Sequence, residues 1–263
     1  MARWGDSGTW VGEGLRREVF FFPSQGVELY GSVYAPASPT ESPPGVVFCN
    51  SWGFEANQAS RIVHLASLSF ARAGGVAFNF HYPGFGDSAG DFERATVDVL
   101  ASAAVDAARV AVHRYPQTRW VLGGLMLGAS IASLAADRGA PAERLLFIQP
   151  ALRPERYFAR LERASRRSIG WPPPVEGFAY GYPLSSAVLD SAAAADAAVD
   201  ASLSRFRGEG TIVRYAEPTE IEGVPERFNQ YVTEGVWRFG AKEYLELIRA
   251  TSKWLCKDSG LLP

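Results

Sequence analysis

The residues with the clearest chemical meaning lie in the stretch 118–136, which reads TRWVLGGLMLGASIASLAA. Residues 120–122 form a short apolar run typical of a buried strand, and an apolar helix is predicted from about Leu127. Between them, residues 124–128 read Gly-Leu-Met-Leu-Gly, and glycines at this spacing suit a sharp turn where a strand and a helix pass too close for a Cβ. A hydroxyl or thiol on such a turn attacks carbonyl carbons, but Met126 carries a thioether, which has no proton to lose. The usual attacking group is therefore missing.

Few other side chains can replace that nucleophile. Ser130 lies one helical turn beyond the sharp turn and is expected to point away from it. Cys49 lies within an apolar strand and is expected to be a buried core thiol. Ser51 and His81 follow two predicted strands at the same edge of the sheet, so they could form a reactive pair. The more usual alternative is that Ser51 caps a turn and His81 hydrogen-bonds to its own loop.

Glu55 is the best candidate for proton transfer. It follows Trp52 in the loop after a predicted strand, and an aromatic surrounding could raise the pKa of its carboxyl so that it acts as a general acid or base. The alternative is a structural role, either in a salt bridge to Arg61 or as a cap of the helix from residue 56. Asn57 and Arg61 would then line or support the pocket.

A row of arginines follows the next predicted strand. The spacings of three and four place these side chains on one helix face, namely Arg153, Arg156, Arg160, Arg163 and Arg167. Guanidinium groups bind phosphate and carboxylate in bidentate fashion, so Arg153 and Arg156 are candidate contacts for a ligand bearing phosphate or phosphopantetheine. The alternative is a solvated face paired with Glu155 and Glu162.

Composition limits the possible partners. The 263 residues suffice for one large domain, and the net charge of −2 gives no reason to expect a nucleic-acid partner. Apolar runs are too short for a membrane span, the first residues do not resemble a signal peptide, and two cysteines suit a reducing cytoplasm. Metal-binding spacings are missing, and we predict no cofactor and no metal. The oligomeric state is left open.

The order of the predicted elements indicates an α/β fold. Strands are predicted at 15–23, 27–34, 45–50, 76–80, 120–122, 145–148, 211–215 and 235–239, and helices at 56–73, 96–113, 127–136, 154–167, 185–206 and 241–257. Strands that alternate with helices form a mostly parallel sheet covered on both faces, and ligands bind at the carboxyl ends of its strands. The predicted division is a core of residues 1–150, a cap-like helical insertion at 151–207, and the last core strands with a closing helix at 208–263.

With its turn at 124–128 and the glycine-rich stretch 81–90, HYPGFGDSAG, the chain resembles the α/β-hydrolase superfamily over nearly all its length. Three segments also resemble the exosortase-associated hydrolase 2 subgroup: Glu55 to Asn57 with Arg61, the turn at 124–129, and Gln149-Pro150 before the arginine helix. That resemblance implies a degenerate elbow and a link to bacterial exopolysaccharide or specialised-metabolite assembly.

The departures from the superfamily pattern concern its catalytic triad. The pattern requires a histidine after the last strand, but the three histidines are His64, His81 and His113, all before Met126. Glu217 and Glu220 stand where the acid is expected, and Trp237 lies in the loop expected to carry the base. When triad residues are missing, the rate acceleration that remains is on the order of 10³ relative to the reaction in water. The chain is therefore not expected to be a serine hydrolase.

Three functions remain open. The first is an atypical enzyme that acts on an acyl, ester or glycosyl substrate, with Glu55 or His81 as proton carrier and loop amides as oxyanion donors. The second is a pseudoenzyme that binds a small molecule or a pathway partner, and the third is an esterase or thioesterase with another nucleophile. The predicted contacts with a substrate are Ser51, Trp52, Asn57, Arg61, Leu125, Met126, Leu127, Arg153, Arg156, Glu217, Glu220 and Trp237.

Overall fold

The computed structural model describes residues 8–167, 175–215, 224–225 and 228–233. The strands are β1 (Gly8–Gly12), β2 (Leu15–Ser24), β3 (Val27–Pro36), β4 (Pro44–Cys49), β5 (Val76–Phe80), β6 (Arg119–Leu125), β7 (Arg144–Ile148), β8 (Phe178–Ala179), β9 (Tyr182–Pro183), β10 (Glu209–Tyr215) and β11 (Asn229–Thr233). The helices are α1 (Gly53–Arg72), α2 (Val97–Arg114), α3 (Leu127–Asp137), α4 (Pro154–Arg167) and α5 (Ser186–Arg205), with a 3-10 turn at Phe92–Arg94.

Nine of these strands form one sheet in the order β1-β2-β3-β5-β4-β6-β7-β10-β11. The first three strands are joined by antiparallel pairing, and β3 is also antiparallel to β5. From β5 onward every neighbouring pair is parallel. The predicted mostly parallel sheet is therefore confirmed, and its parallel part brings the ends of β4, β6 and β7 to one edge.

Helices cover both faces of the sheet. Asn79 on β5 exchanges hydrogen bonds with Ser67 of α1, at 3.0 and 3.2 Å. The preceding residue, Phe78, points to the opposite face of the sheet and stacks on the ring of Phe20. The guanidinium carbon of Arg114, on α2, lies 4.1 Å from the centroid of the Phe20 ring. Helices α2 and α3 pack together, and α5 packs against both of them, so α5 extends this helical layer.

The segment between β7 and β10 contains α4, the hairpin β8–β9 and α5. Tyr180 and Gly181, with φ of 52° and 84°, form the turn of the hairpin. Positive φ at both central residues is the geometry that matches the twist of a tight two-residue hairpin. The hairpin packs on α4, and the amide of Tyr180 donates to Ser165 Oγ at 2.7 Å. Helix α4 and the hairpin are thereby held beside the edge where β6 and β7 end.

The observed elements differ from the predicted ones mainly at their ends. Helix α1 starts at Gly53, three residues earlier than predicted, and β6 extends to Leu125. Strands β1, β8, β9 and β11 were not predicted. The strand expected at 235–239 and the helix at 241–257 lie outside the described residues, and the division into core and insertion stays a prediction. Among the described helices, none is long and apolar enough to span a membrane.

Candidate functional site

The turn between β6 and α3 holds Met126 in a strained conformation. Its φ of 53° and ψ of −116° are rare for a residue with a Cβ. A Cβ on Gly124 would lie 2.4 Å from the Cα of Ala129, and one on Gly128 would lie 2.0 Å from the carbonyl oxygen of Cys49. The two glycines therefore allow α3 to pass directly over β6 and the end of β4. The predicted sharp turn is present, and its central residue is a methionine.

Met126 lines a cavity of about 450 Å³ beside this turn, which we call the elbow cavity. Its walls include Phe54, Glu55, Gln149, Arg160 and Tyr180. Met126 itself is only 9% exposed. Leu125 and Leu127 flank it but are buried in the core, so of these three predicted contacts only the side chain of Met126 borders the cavity.

A buried polar network lies in the wall of the elbow cavity. Arg160 Nη2 of α4 donates to Glu55 Oε1 at 2.9 Å, and Glu55 is 4% exposed. The hydroxyl groups of Ser51 and Tyr157 lie 3.0 Å apart, and Ser51 Oγ lies 3.5 Å from Glu55 Oε2. Burial, reinforced by the negative charge of Glu55, holds the pKa of the Tyr157 hydroxyl well above its ordinary value, so that it remains a proton donor. The predicted salt bridge of Glu55 with Arg61 is thus wrong, because the partner is Arg160.

Two elements bring this network together. Glu55 lies in the first turn of α1, which follows β4 after the short loop of Asn50 to Trp52. Tyr157 and Arg160 are three residues apart on α4, and that spacing places both on the same side of the helix. Arg160 also lies 5.4 Å above the Tyr157 ring. The sequence prediction missed Tyr157, although its spacing from Arg160 was a usable signal.

Backbone strain is concentrated around the elbow cavity. Among the residues that the structure describes, five other than glycine have positive φ, and three of them, Met126, Gln149 and Tyr180, border this cavity. The backbone amide of each of these three residues donates a hydrogen bond: Met126 to the carbonyl of Ile148, Gln149 to the carbonyl of Val213, and Tyr180 to the hydroxyl of Ser165. Sparsely populated conformations of this kind cost about 1–3 kcal/mol each, and the surrounding structure holds them in place.

His81 lies in a different cavity of about 270 Å³, which we call the histidine cavity and which is also lined by Asn50, Asn57 and Tyr182. His81 Nδ1 accepts a hydrogen bond from the amide of Asp87 at 3.1 Å, and its ring stacks on Tyr30. Burial lowers the pKa of His81, although the Asp87 carboxylate acts in the opposite direction. Ser51 borders this cavity, but its hydroxyl is bonded to Tyr157, and no hydrogen bond joins it to His81 in the described part of the chain.

Two of the other predicted ligand contacts, Trp52 and Asn57, have structural partners. Trp52 is fully buried and packs on Phe92, Phe158 and Tyr182, so its ring is part of the core. Asn57 donates to the hydroxyl of Tyr182 at the histidine cavity, whereas Arg61 is exposed on α1.

The arginine row is divided between different surroundings. Arg153, with 17% of its side chain exposed, donates to Asp200 of α5 at 2.6 Å, so it is not the free anion contact that was predicted. Arg160 belongs to the elbow cavity, and Arg156 is exposed. Glu162 pairs with Arg166, which does not belong to the row.

The remaining candidates give no alternative nucleophile. The Ser130 hydroxyl donates to the carbonyl of Ala151 at 2.7 Å, and burial raises the pKa of the Cys49 thiol to about 12. Glu217, Glu220 and Trp237 lie outside the described residues. Within the described ranges, no group of histidine, cysteine and acidic residues is arranged to hold a metal ion.

Similarity to known proteins lies in structure and not in sequence. No protein-family model matches the chain, and no curated protein matches it in sequence. The esterase Est1E from Butyrivibrio proteoclasticus, solved with ferulic acid bound, superposes with a TM-score of 0.64 at 14% identity over 90% of this chain and 98% of its own. A hyperthermophilic esterase from Pyrobaculum calidifontis gives a TM-score of 0.65 at 18% identity over 94% of this chain and 86% of its own. A hypothetical protein from Pseudomonas aeruginosa gives 0.64 at 11% identity over 98% of each chain.

These structures superpose on most of the length of this chain. At identities below 20% the similarity concerns the fold alone, because site residues can differ completely on a shared fold. The strand order and these superpositions together show that this chain has the α/β-hydrolase fold.

Proposed function

We propose that this chain is a hydrolase that cleaves an ester or related acyl bond of a small molecule by direct attack of water. The observation that carries the proposal is the Glu55–Arg160 ion pair in the wall of the elbow cavity. Removing a carboxylate from water costs several kcal/mol, and apolar residues of the same volume are often as stable or more stable. Glu55 keeps only 5% of its side chain exposed beside a ligand-sized cavity, although its partner Arg160 is half solvated. A carboxylate buried in this way is better explained by chemistry than by stability.

The proposed reaction needs no covalent enzyme intermediate. Glu55 accepts a proton from water as the water oxygen bonds to the carbonyl carbon, and that proton then passes to the leaving oxygen as the ester C–O bond breaks. In this proposal Arg160 and the first backbone amides of α3, at Leu127 and Gly128, stabilise the oxyanion, since the first amides of a helix lack intrahelical partners. The products are a carboxylic acid and an alcohol.

Glu55 suits this role better than His81. His81 borders the histidine cavity, and its Nδ1 already accepts the Asp87 amide. Glu55 instead borders the same cavity as Met126, which occupies the position from which the fold presents its reacting group.

The substrate, the pathway and the cellular location are proposed from other residues. Arg156 and Arg163 lie on the exposed side of α4, four residues before and three after Arg160, and they favour an acyl compound that carries phosphate or phosphopantetheine. Assembly of a bacterial exopolysaccharide or specialised metabolite is proposed from the three segments that resemble the exosortase-associated subgroup. The buried free thiol of Cys49 is compatible with a cytoplasmic location.

The decisive experiment compares Glu55→Gln with the wild type on a series of 4-nitrophenyl esters and acyl-pantetheine thioesters. Loss of a general base lowers kcat by about 10²–10⁴-fold, and we expect a decrease in that range. Glu155→Gln on the surface of α4 is the matched control and should retain full activity. Equal rates in Glu55→Gln and wild type, with unchanged circular dichroism, would refute the role of Glu55.

A second candidate function is binding without chemistry, and the identity of Met126 favours it, because an apolar thioether occupies the position of the attacking group. Turnover separates the two functions: a ligand that raises Tm but is recovered unchanged after long incubation supports binding alone.

A fluorophosphonate probe tests whether the chain is a conventional esterase with a serine nucleophile. We expect no labelling, and covalent attachment to any serine would overturn both proposals.

A further inference from the structure

We infer that the histidine cavity is a second small-molecule site and that it binds a neutral, hydroxyl-bearing ring. One face of α1 lines this cavity through Gly53, Ala56, Asn57 and Ser60, whereas Glu55 borders the elbow cavity. Positions 53, 56, 57 and 60 follow the spacing of a single helix face, so the first turns of α1 separate the two cavities. The volume of about 270 Å³ lies just below the usual range for small-molecule sites, about 300–1,000 Å³, and therefore suits a single ring.

Among the described residues, the lining of the histidine cavity carries no formal charge. It contains no aspartate, glutamate, lysine or arginine from that part of the chain. The surroundings of His81 suit a neutral ring, because Nδ1 accepts a hydrogen bond from the Asp87 amide and burial lowers the pKa of the ring, although the Asp87 carboxylate acts in the opposite direction. A charged ligand would leave water without gaining an opposite charge, which is costly. The cavity therefore selects a neutral molecule.

An aromatic wall provides a surface for a ring. Phe85 and Phe92 have ring centroids 4.6 Å apart, and Phe92 and Tyr182 have centroids 5.2 Å apart. All three side chains line the cavity and are partly exposed. The rings are tilted to one another by 44° and 43°, so they form a curved wall of aromatic faces, and aromatic faces bind sugars and aromatic rings alike.

The polar groups around this wall include both donors and acceptors. Because His81 Nδ1 accepts the Asp87 amide, the proton of the neutral ring is on Nε2, which is therefore a donor. The Tyr182 hydroxyl accepts a hydrogen bond from Asn57 and keeps its own proton to donate. Asn50 Oδ1 is buried and has no hydrogen-bond partner among the described residues, so it lacks a donor.

A hydroxyl group both donates and accepts, and it therefore matches this mixed set of partners. A ring bearing one or more hydroxyl groups satisfies the aromatic wall and the polar groups together. Such a ring belongs to a sugar or to a phenol, and these two sources share the chemistry that the cavity recognises.

The test uses the small number of histidines. The chain has three, so the imidazole nitrogens of a ¹⁵N-histidine sample can be assigned with His81→Gln. Methyl α-D-glucopyranoside and 4-methylphenol are the neutral probes, and glucuronate and 4-hydroxybenzoate are their charged counterparts. We expect at least one neutral probe to shift the His81 Nε2 resonance, with His64 and His113 unaffected and the charged counterparts inactive. The neutral probe that acts identifies the source of the ring.

Two variants test whether the probe occupies this cavity. Ser60→Trp blocks its exposed side and Ala56→Phe fills its interior, so both should abolish the shift, while Ser60→Ala should preserve it. A shift that persists in both bulky variants, no shift with either neutral probe, or equal shifts with charged probes would overturn the inference. Glu55→Gln should leave the shift intact, so a failure of the proposed hydrolase does not affect this result.

Discussion

The two partners of the Glu55–Arg160 ion pair are buried to different extents, and removing them should therefore have unequal effects on stability. Glu55 has 5% of its side chain exposed and Arg160 has 53% exposed. In Arg160→Met the carboxylate remains in the wall of the cavity without its guanidinium. In Glu55→Gln the remaining guanidinium can turn into water, and the new amide still offers an oxygen to it.

The expected size of each effect follows from this asymmetry. Breaking a fully buried pair from one side costs about 3–5 kcal/mol. Because half of Arg160 is solvated, we expect Arg160→Met to lower the free energy of unfolding by about 2–3 kcal/mol, which includes the lost contact with the Tyr157 ring. Glu55→Gln should cost about 1 kcal/mol or less, since a neutral hydrogen bond remains.

Urea unfolding at pH 7 measures both effects as shifts of the transition midpoint. Arg163→Met, on the exposed surface of the same helix, controls for the loss of an arginine and should change the free energy of unfolding by less than about 0.5 kcal/mol. The double variant, Glu55→Gln with Arg160→Met, should be more stable than Arg160→Met alone, because the unpaired carboxylate is gone. Equal costs for the two single variants, or strict additivity in the double variant, would refute the reasoning.

Two further predictions concern the turn and the sheet. Gly128→Ala should lower the free energy of unfolding by about 3 kcal/mol in thermal or urea unfolding, because the new Cβ would lie 2.0 Å from the carbonyl oxygen of Cys49. The control Gly139→Ala, at a residue with φ of 82° and open space around it, should lower that free energy by only about 1 kcal/mol. Equal losses in the two variants would contradict this account. Burial alone would raise the pKa of Glu18, but the hydrogen bond from Arg114 and nearby positive charges lower it below its ordinary value of 4.5. The stability that Glu18 provides is therefore complete above about pH 4.5 and is lost as the pH falls through the lowered value, so Glu18→Gln should flatten the acid limb of a plot of stability against pH. An acid limb as steep in the variant as in the wild type would show that Glu18 does not contribute.

The sequence predicted the sheet because buried parallel strands are short apolar runs bounded by glycine, proline or polar residues. Strand β5 was predicted at its observed bounds, and α4 likewise. Strand β1, with the sequence GTWVG, was not predicted, because it is exposed along nearly its whole length and therefore shows no alternation of apolar and polar residues. The hairpin of β8 and β9 was hidden by the prolines around it.

The polar network was harder to predict than the elements that carry it. Glu55 and the arginine row were both identified, but the partner of Glu55 was expected six residues away in sequence and lies 105 residues away. The orientation of α4 over the sheet decides this pairing. That orientation depends on how α4 packs against α5 and the hairpin, and such contacts leave no periodic pattern in a sequence.

The turn at Met126 shows why fold and chemistry must be argued separately. Its strained backbone persists although its side chain cannot attack a carbonyl, because the closeness of Gly124 to Ala129 and of Gly128 to Cys49 fixes how the helix leaves the strand. The strain is thus explained by packing and carries no evidence of catalysis. The evidence lies in groups that packing does not require, above all a carboxylate kept at 4% exposure against a cavity. For this reason Glu55, and not the residue at the turn, is the position at which an activity of this chain should be tested first.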